Sequence, residues 1–290
     1  MRMMAVHAHP DDESSKGAGT MARYTAQGHR VRVVTCTGGE RGDILNPKLE
    51  HDAYTLANLH EVREQEMANA AKALGVEHVW LGFEDSGLPE GDPLPPLPEG
   101  CFALASDEET VPALVAQIRE FRPHVLTTYN ERGGYPHPDH IQTHKVSMKA
   151  VTAAADPHFH PELGTAWTVP KVYYDVSFGI DRMLAIHNAL ISEGKESPFE
   201  DRIRQRADRP QRTVTARIDV ADYFPQRDEA LRAHATQIDP DGFFFAVPRD
   251  LERRVWPWEE FELARAEVPV ADLEDDLFAG IEEEQDSPSA

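Results

Sequence analysis

The sequence predicts an α/β protein with a Rossmann-like, mostly parallel sheet covered by helices on both faces, and three observations lead to it. Short apolar or β-branched runs recur at Met3–Val6, Val31–Thr37, His78–Leu81 and Val125–Tyr129. Segments with helical composition or spacing stand between them. Glycines punctuate the changes, at Gly28, Gly38-Gly39 and Gly75. Strand alternating with helix in this way gives a parallel sheet buried on both sides.

The elements follow in order. Met3-Met4-Ala5-Val6 reads as a buried strand, and Lys16 to Gln27 as a helix stopped by Gly28. Val31–Thr37 is the second strand. Leu56, Leu59, Val62, Met67, Ala70, Ala71 and Leu74 recur at helical spacing, and His78–Leu81 is a third strand. Residues 82 to about 110 form a long connection holding Pro93 to Pro98, of the kind that often covers a site. Val111–Phe121 is helical, Val125–Tyr129 a fourth strand, and a helix runs from about His140 to Ala155. Beyond Lys171 come a strand at Val172–Tyr174, a helix over 181–193 and an alternating strand over Thr213–Val220. The expected organisation is a catalytic core over 1–170 and a C-terminal α+β extension over 171–268, packed on the core and rimming the site. An acidic, mobile tail is expected over 269–290.

Length and composition narrow the function. A chain of 290 residues can bury a full core. No apolar run approaches the roughly 20 residues of a membrane span, and the first strand begins too early for a signal peptide. Cys36 and Cys101 stand far apart, which suits a reducing cytosol and speaks against a cysteine-rich metal site. With 51 acidic and 29 basic residues, the surface should repel a phosphate backbone, so nucleic acid is not an expected partner. A small molecule is, and nothing in the sequence signals an oligomeric state.

The chemistry gathers at two strand ends. His7-Ala8-His9-Pro10-Asp11-Asp12-Glu13 follows the first strand, where a nucleotide-binding protein would carry a glycine-rich phosphate loop. Imidazoles and carboxylates there suit a cation. Gly133-Gly134-Tyr135-Pro136-His137-Pro138-Asp139-His140 follows the fourth strand and repeats the pattern. Two histidines and one carboxylate would hold a metal with a position open for water. A second carboxylate could take the water's proton and a further histidine protonate the leaving amine. Asp11 and Asp12 offer the two carboxylate roles; His137 and His140 offer the acid and the third ligand. The bland alternative is that Asp11 and Asp139 are helix caps.

His9-Pro10-Asp11-Asp12-Glu13 and His137-Pro138-Asp139-His140 resemble the paired signatures of the LmbE-like (PIG-L) zinc deacetylases and amidases. Longer strings resemble the amidase branch over nearly the whole chain: Met4 to Lys16, Thr37 to Pro47, Trp80 to Phe83, Asp85 to Pro93 and His234 to Asp239. The resemblance implies one zinc ion, or ferrous iron, held by His9, Asp12 and His140. It implies Asp11 as general base, and His137 as general acid and oxyanion partner with Asp139 orienting its imidazole. Tyr135 would stand beside the scissile carbonyl. Arg63, Asp85 and Gln237 match positions that contact a glucosaminyl-inositol, and Lys16 one that contributes to substrate choice. On the residues themselves Arg63 could instead pair with Glu66 along a helix, and Asp85 could be a turn residue before Ser86-Gly87. Residues 194–212 depart from the family pattern.

The function this implies is hydrolysis, in the cytosol, of the amide joining glucosamine to the S-substituted N-acetylcysteine of mycothiol S-conjugates. The rivals are deacetylation of the N-acetylglucosaminyl-inositol precursor and trimming of mycothiol conjugates in a secondary-metabolite pathway. From another class comes a metal- or nucleotide-binding module without catalysis.

Overall fold

The computed structural model describes residues 1–206 and 211–282. In chain order its main elements are β1 (Arg2–His7), α1 (Asp12–Ser15), α2 (Ala18–Ala26), β2 (Arg30–Thr37), α3 (Ala53–Ala57), α4 (Leu59–Leu74), β3 (Glu77–Phe83), α5 (Asp107–Phe121), β4 (Val125–Thr128), α6 (Pro138–Ala154), β5 (Lys171–Asp175), α7 (Ile180–Ser192), α8 (Glu200–Arg206), β6 (Ala216–Asp219), α9 (Phe224–Ala233), α10 (Arg249–Val255) and β7 (Trp258–Ala266). One sheet of seven strands runs in the order β3-β2-β1-β4-β5-β7-β6. The pairs from β3 through β5 are parallel, and β7 is antiparallel to both β5 and β6. This is the expected α/β class.

Alternation along each strand builds the two core layers. Met3 and Ala5 of β1 and Val31 and Val33 of β2 pack with Met21 and Tyr24 of α2 and Met67 and Leu74 of α4. Met4, Val6, Val34 and Cys36 point the other way, onto Leu114 and Ile118 of α5 and Val146 and Ala150 of α6. A smaller cluster, with Met183, Ile186, Leu190, Leu251 and Trp256, holds α7 and α10 together.

The strand order reverses between β1 and β4, so their carboxyl ends open a crevice at the switch point. The expected helix over 16–27 is α2, which starts at Ala18: Gly17 sits at φ +76° and separates it from the single turn of α1. A left-handed residue ends α1 after one turn and leaves Lys16 extended.

The extension beyond residue 170 shares the core's sheet, since β5 pairs directly with β4. One expectation about the C-terminal part is corrected: the tail is packed on the core as far as Ile281. Glu274 is buried and accepts a 2.7 Å bond from the Lys171 ammonium and another from the Tyr173 hydroxyl. Leu277 and Phe278 enter the core beside Tyr24. Lys171 is fully buried, and a buried ammonium requires such a carboxylate. The last part of the expected tail, 283–290, lies outside the described residues, as do residues 207–210 of the stretch that departs from the family pattern.

Candidate active site

The His9 turn begins where β1 ends. Pro10 keeps His9 extended, and Asp11 adopts φ 123°, a conformation L-residues rarely take. Such strain costs on the order of 1–3 kcal/mol and persists only where the surroundings over-determine it. They do so here. The Asp11 N–H donates to Glu13 at 2.9 Å, and the Asp11 carbonyl accepts the N–H groups of Ser14 and Ser15. The buried guanidinium of Arg63 donates to the Pro10 carbonyl at 2.8 Å and to that of Gly39 at 2.5 Å. Glu13 is itself fixed by a 2.7 Å bond from His234, both side chains being fully buried. Burial alone would raise the Glu13 carboxyl; His234 brings it down to about 2, and Glu13 in turn raises the imidazole, so the two form an ion pair.

His9, Asp12 and His140 face one another with potential ligand atoms all within 4.8 Å. The Asp12 Oδ2 lies 3.3 Å from His140 Nε2 and 3.6 Å from His9 Nδ1. Ligands about 2.0–2.1 Å from a tetrahedral ion stand roughly 3.4 Å apart, so the spacing fits a metal. The hydrogen bonds agree. His140 Nδ1 bonds the Gly133 carbonyl at 2.9 Å, and its buried Nε2 has no hydrogen-bond partner. His9 Nε2 bonds Asp139 at 3.2 Å and leaves Nδ1 toward Asp12. Each imidazole thus has one nitrogen tied to an acceptor and the other turned inward, the arrangement that orients metal-binding histidines. Gly133 is at φ +71°, and a Cβ there would come 2.6 Å from the His140 Cβ, so the loop needs glycine.

Electrostatics point the same way. Burial would lower the His9 pKa, yet Asp12, Asp139 and Asp85 around it raise it well above the usual value. Burial would raise the Asp12 carboxyl, but His140 and Lys16 hold it well below the usual range. A second grouping joins His9, Asp85, His137 and Asp139. Its carboxylates are occupied: Asp139 accepts from the Ser86 N–H at 2.8 Å and the Ser86 hydroxyl, and Asp85 from the Arg41 and Gly87 N–H groups. The His9–Asp12–His140 set is therefore the better cation site.

The remaining candidates divide. Asp11, Lys16, Tyr135 and Gln237 line a cleft of about 670 Å³ that also includes Asp12. The Asp11 carboxyl is pushed up to about 6, by burial first and then by Asp12. Lys16 pairs with Asp12 at 2.5 Å, and the half-exposed Tyr135 ring lies 4.5 Å from that of His140. The ring of His137 sits 4.5 Å from that of His9. Burial and the neighbouring His9 push its pKa down to about 4.

Asp139 differs from expectation. Its carboxylate reaches His9 and Ser86, and only its backbone N–H reaches His137, donating to Nδ1 at 3.1 Å. It orients His9 rather than the His137 imidazole. Arg63 and Asp85 are buried and do not line that cleft; both bond backbone groups of the surrounding loops, and Arg63 also stands 3.8 Å from the Asp11 carboxylate and Asp85 3.5 Å from His9 Nε2. Arg63 makes no pair with Glu66, which accepts from Thr236 instead. Asp85 makes the turn contact with Gly87 at 2.8 Å.

Three supporting residues were not anticipated from the sequence. Tyr129 donates to Asp12 Oδ2 at 2.7 Å, accepts the Ala8 N–H, and stacks on His140 at 4.3 Å. Ser86 holds Asp139, and His234 holds Glu13. Tyr129 closes the fourth strand run and so had a positional signal. Ser86 and His234 had none, since their partners come from distant parts of the chain.

The switch-point crevice of the sheet holds a buried His–Asp–His cluster that fits a metal ion, the kind of site an α/β metalloenzyme carries. Residues 4–151 match the model of the PIG-L family, described as GlcNAc-PI de-N-acetylase, and the chain belongs to that family. It is 58% identical to the mycothiol S-conjugate amidase of Streptomyces coelicolor, over 97% of either chain. It is 44% identical to the 1D-myo-inositol 2-acetamido-2-deoxy-alpha-D-glucopyranoside deacetylase of Geodermatophilus obscurus, over 97% of this chain and 98% of that one. Among solved structures the fold resembles N,N'-diacetylchitobiose deacetylase from Pyrococcus horikoshii, with a TM-score of 0.61 and 17% identity over 90% of this chain and 83% of that one.

Proposed function

We propose that this protein is a zinc amidase that hydrolyses the bond between glucosamine and the S-substituted N-acetylcysteine of mycothiol S-conjugates. The products are a mercapturic acid and glucosaminyl-inositol, and the role is detoxification of electrophiles in the cytosol. The observation that carries this reading is the 58% identity to the Streptomyces amidase, against 44% to the Geodermatophilus deacetylase over the same share of the chain. No helix among the described residues is long and apolar enough to cross a membrane, which suits a small polar substrate met in solution.

His9, Asp12 and His140 would hold the ion, zinc in this reading with ferrous iron as the cellular alternative. When bound, it supplies a Lewis acid that makes water nucleophilic near neutral pH. Asp11 takes the water's proton: its carboxyl at about 6 is ionised at pH 7 yet close enough to that pH to be an effective base. His137 is neutral at that pH. Its Nδ1 accepts the Asp139 N–H, so its proton sits on Nε2, where it can stabilise the developing oxyanion with the Tyr135 hydroxyl. The departing glucosamine nitrogen then recovers the proton from Asp11, which in this reading replaces His137 as the general acid expected from the sequence, because His137 is held neutral. Gln237 and Lys16, on the cleft wall, are assigned to substrate contact, and Arg63 and Asp85 to holding the loops that shape the site. Rates on the bimane conjugate of mycothiol and on N-acetylglucosaminyl-inositol test the reading. The conjugate is expected to be cleaved at least about tenfold faster; the reverse order would make this a deacetylase.

A further inference from the structure

Part of the cleft's lining, its apolar branch, is left unused by the hydrolytic chemistry. It comes from Val176, Phe178 and Ile180, just after β5, with Ile238 and Phe244, and the charged side chains of Asp181, Arg202 and Arg212 line the same cleft. Phe178, Ile180 and Phe244 are not fully buried, so apolar surface faces the same cleft that Asp11, Asp12 and Lys16 line. The rings are set in place from behind. Phe243 lies 5.7 Å from Phe178 and 5.8 Å from Phe244, and the Arg182 guanidinium stands 5.5 Å from the Phe178 ring. Partly exposed rings fixed in a concavity of this size are the usual makings of a small-molecule subsite.

With the scissile carbonyl at the His–Asp–His cluster, the sugar lies to one side and the acyl group to the other. An acetyl group is two carbons and ends at the cluster, leaving the branch empty. An S-substituted N-acylcysteinyl group continues several atoms further and carries its substituent outward on sulfur. We propose that the branch is the subsite for that substituent, that it takes apolar and aromatic groups, and that Phe178 and Phe244 set the preference. This rests on the amidase reading above.

The test compares kcat/KM on the bimane conjugate of mycothiol, its S-methyl conjugate and N-acetylglucosaminyl-inositol. The proteins are wild type, Phe178→Ala, Phe244→Ala and the milder Phe178→Leu and Phe244→Leu. The alanine variants are expected to lose about tenfold on the bimane conjugate and less than about threefold on the methyl one, with leucine intermediate. Should an alanine variant fail to fold, the leucine variants carry the same comparison of ratios. Equal losses on the two conjugates, or none on either, would overturn the subsite. A wild-type enzyme that ignores both conjugates yet cleaves the acetyl compound would instead reject the amidase reading, a result distinct from equal losses.

Discussion

At the inner end of the cleft, Asp12 takes hydrogen bonds from Tyr129, the His9 N–H and Lys16, while Asp139 takes them from Ser86 and His9. On the apolar branch, Phe178, Ile180 and Phe244 are partly exposed; both phenyl rings meet that of Phe243, and the Arg182 guanidinium stands over Phe178. The inner network holds polar atoms that could not be left unpaired, so each member fixes the next. The apolar side chains of the outer wall carry no such network. A substitution inside should therefore change chemistry or folding for every substrate, and one outside should change which substrate is preferred.

The largest effect is expected from Asp12→Ala or His140→Ala, each removing one of three ligands. Metal content measured by elemental analysis should fall well below one per chain and turnover by about a thousandfold or more. Unchanged stoichiometry would mean the cluster is not the metal site and the contrast between the two ends is drawn in the wrong place. Next comes Tyr129→Phe, which removes the hydroxyl's bonds with Asp12, the Ala8 N–H and His7 Nδ1. Supporting contacts of this kind are worth about 10–100-fold in metal affinity or activity. Competition with a chelator would show it, and wild-type affinity would mean Asp12 needs no such support.

Glu13→Ala strands the His234 imidazole and the Asp11 N–H. Removing one partner of a buried ion pair costs about 3–5 kcal/mol, read as a lower denaturation midpoint. A loss under about 1 kcal/mol would make the pair incidental. The smallest effect is one of pH. Asp11 must be ionised to accept a proton, and a cation in the site favours that form, so kcat/KM of the metal-loaded enzyme should rise with pH through an acid limb at or below about 6 and flatten above it. A limb well above 6 would assign it to another group.

The sequence shows the inner end well and its supports poorly. His9, Asp12, His137 and His140 are legible because proline and spacing place them together at two strand ends. Asp139 misleads because its nearest histidine in sequence is His137, while its carboxylate bonds His9, far away in the chain. The Glu13–His234 pair joins residues that share no local pattern. Strand β7, Trp-Glu-Glu-Phe-Glu-Leu-Ala-Arg-Ala, escapes a hydropathy reading because its glutamates are used inside. Glu259 takes the Gly19 and Thr20 N–H groups at the start of α2, and Glu260 is buried against Arg217. The tail misleads for a related reason. Its acidic composition reads as solvated, yet Glu274 neutralises Lys171, and the two apolar residues Leu277 and Phe278 suffice to anchor it.

The central claim is that Asp11 does the proton chemistry while its neighbours hold the ion, and Asp11→Asn separates those roles. The variant should keep about one metal per chain, since Asp11 is not a ligand, and lose about a thousandfold in kcat on the bimane conjugate, the scale of a missing general base. Near-normal turnover, or loss of the metal together with activity, would contradict it.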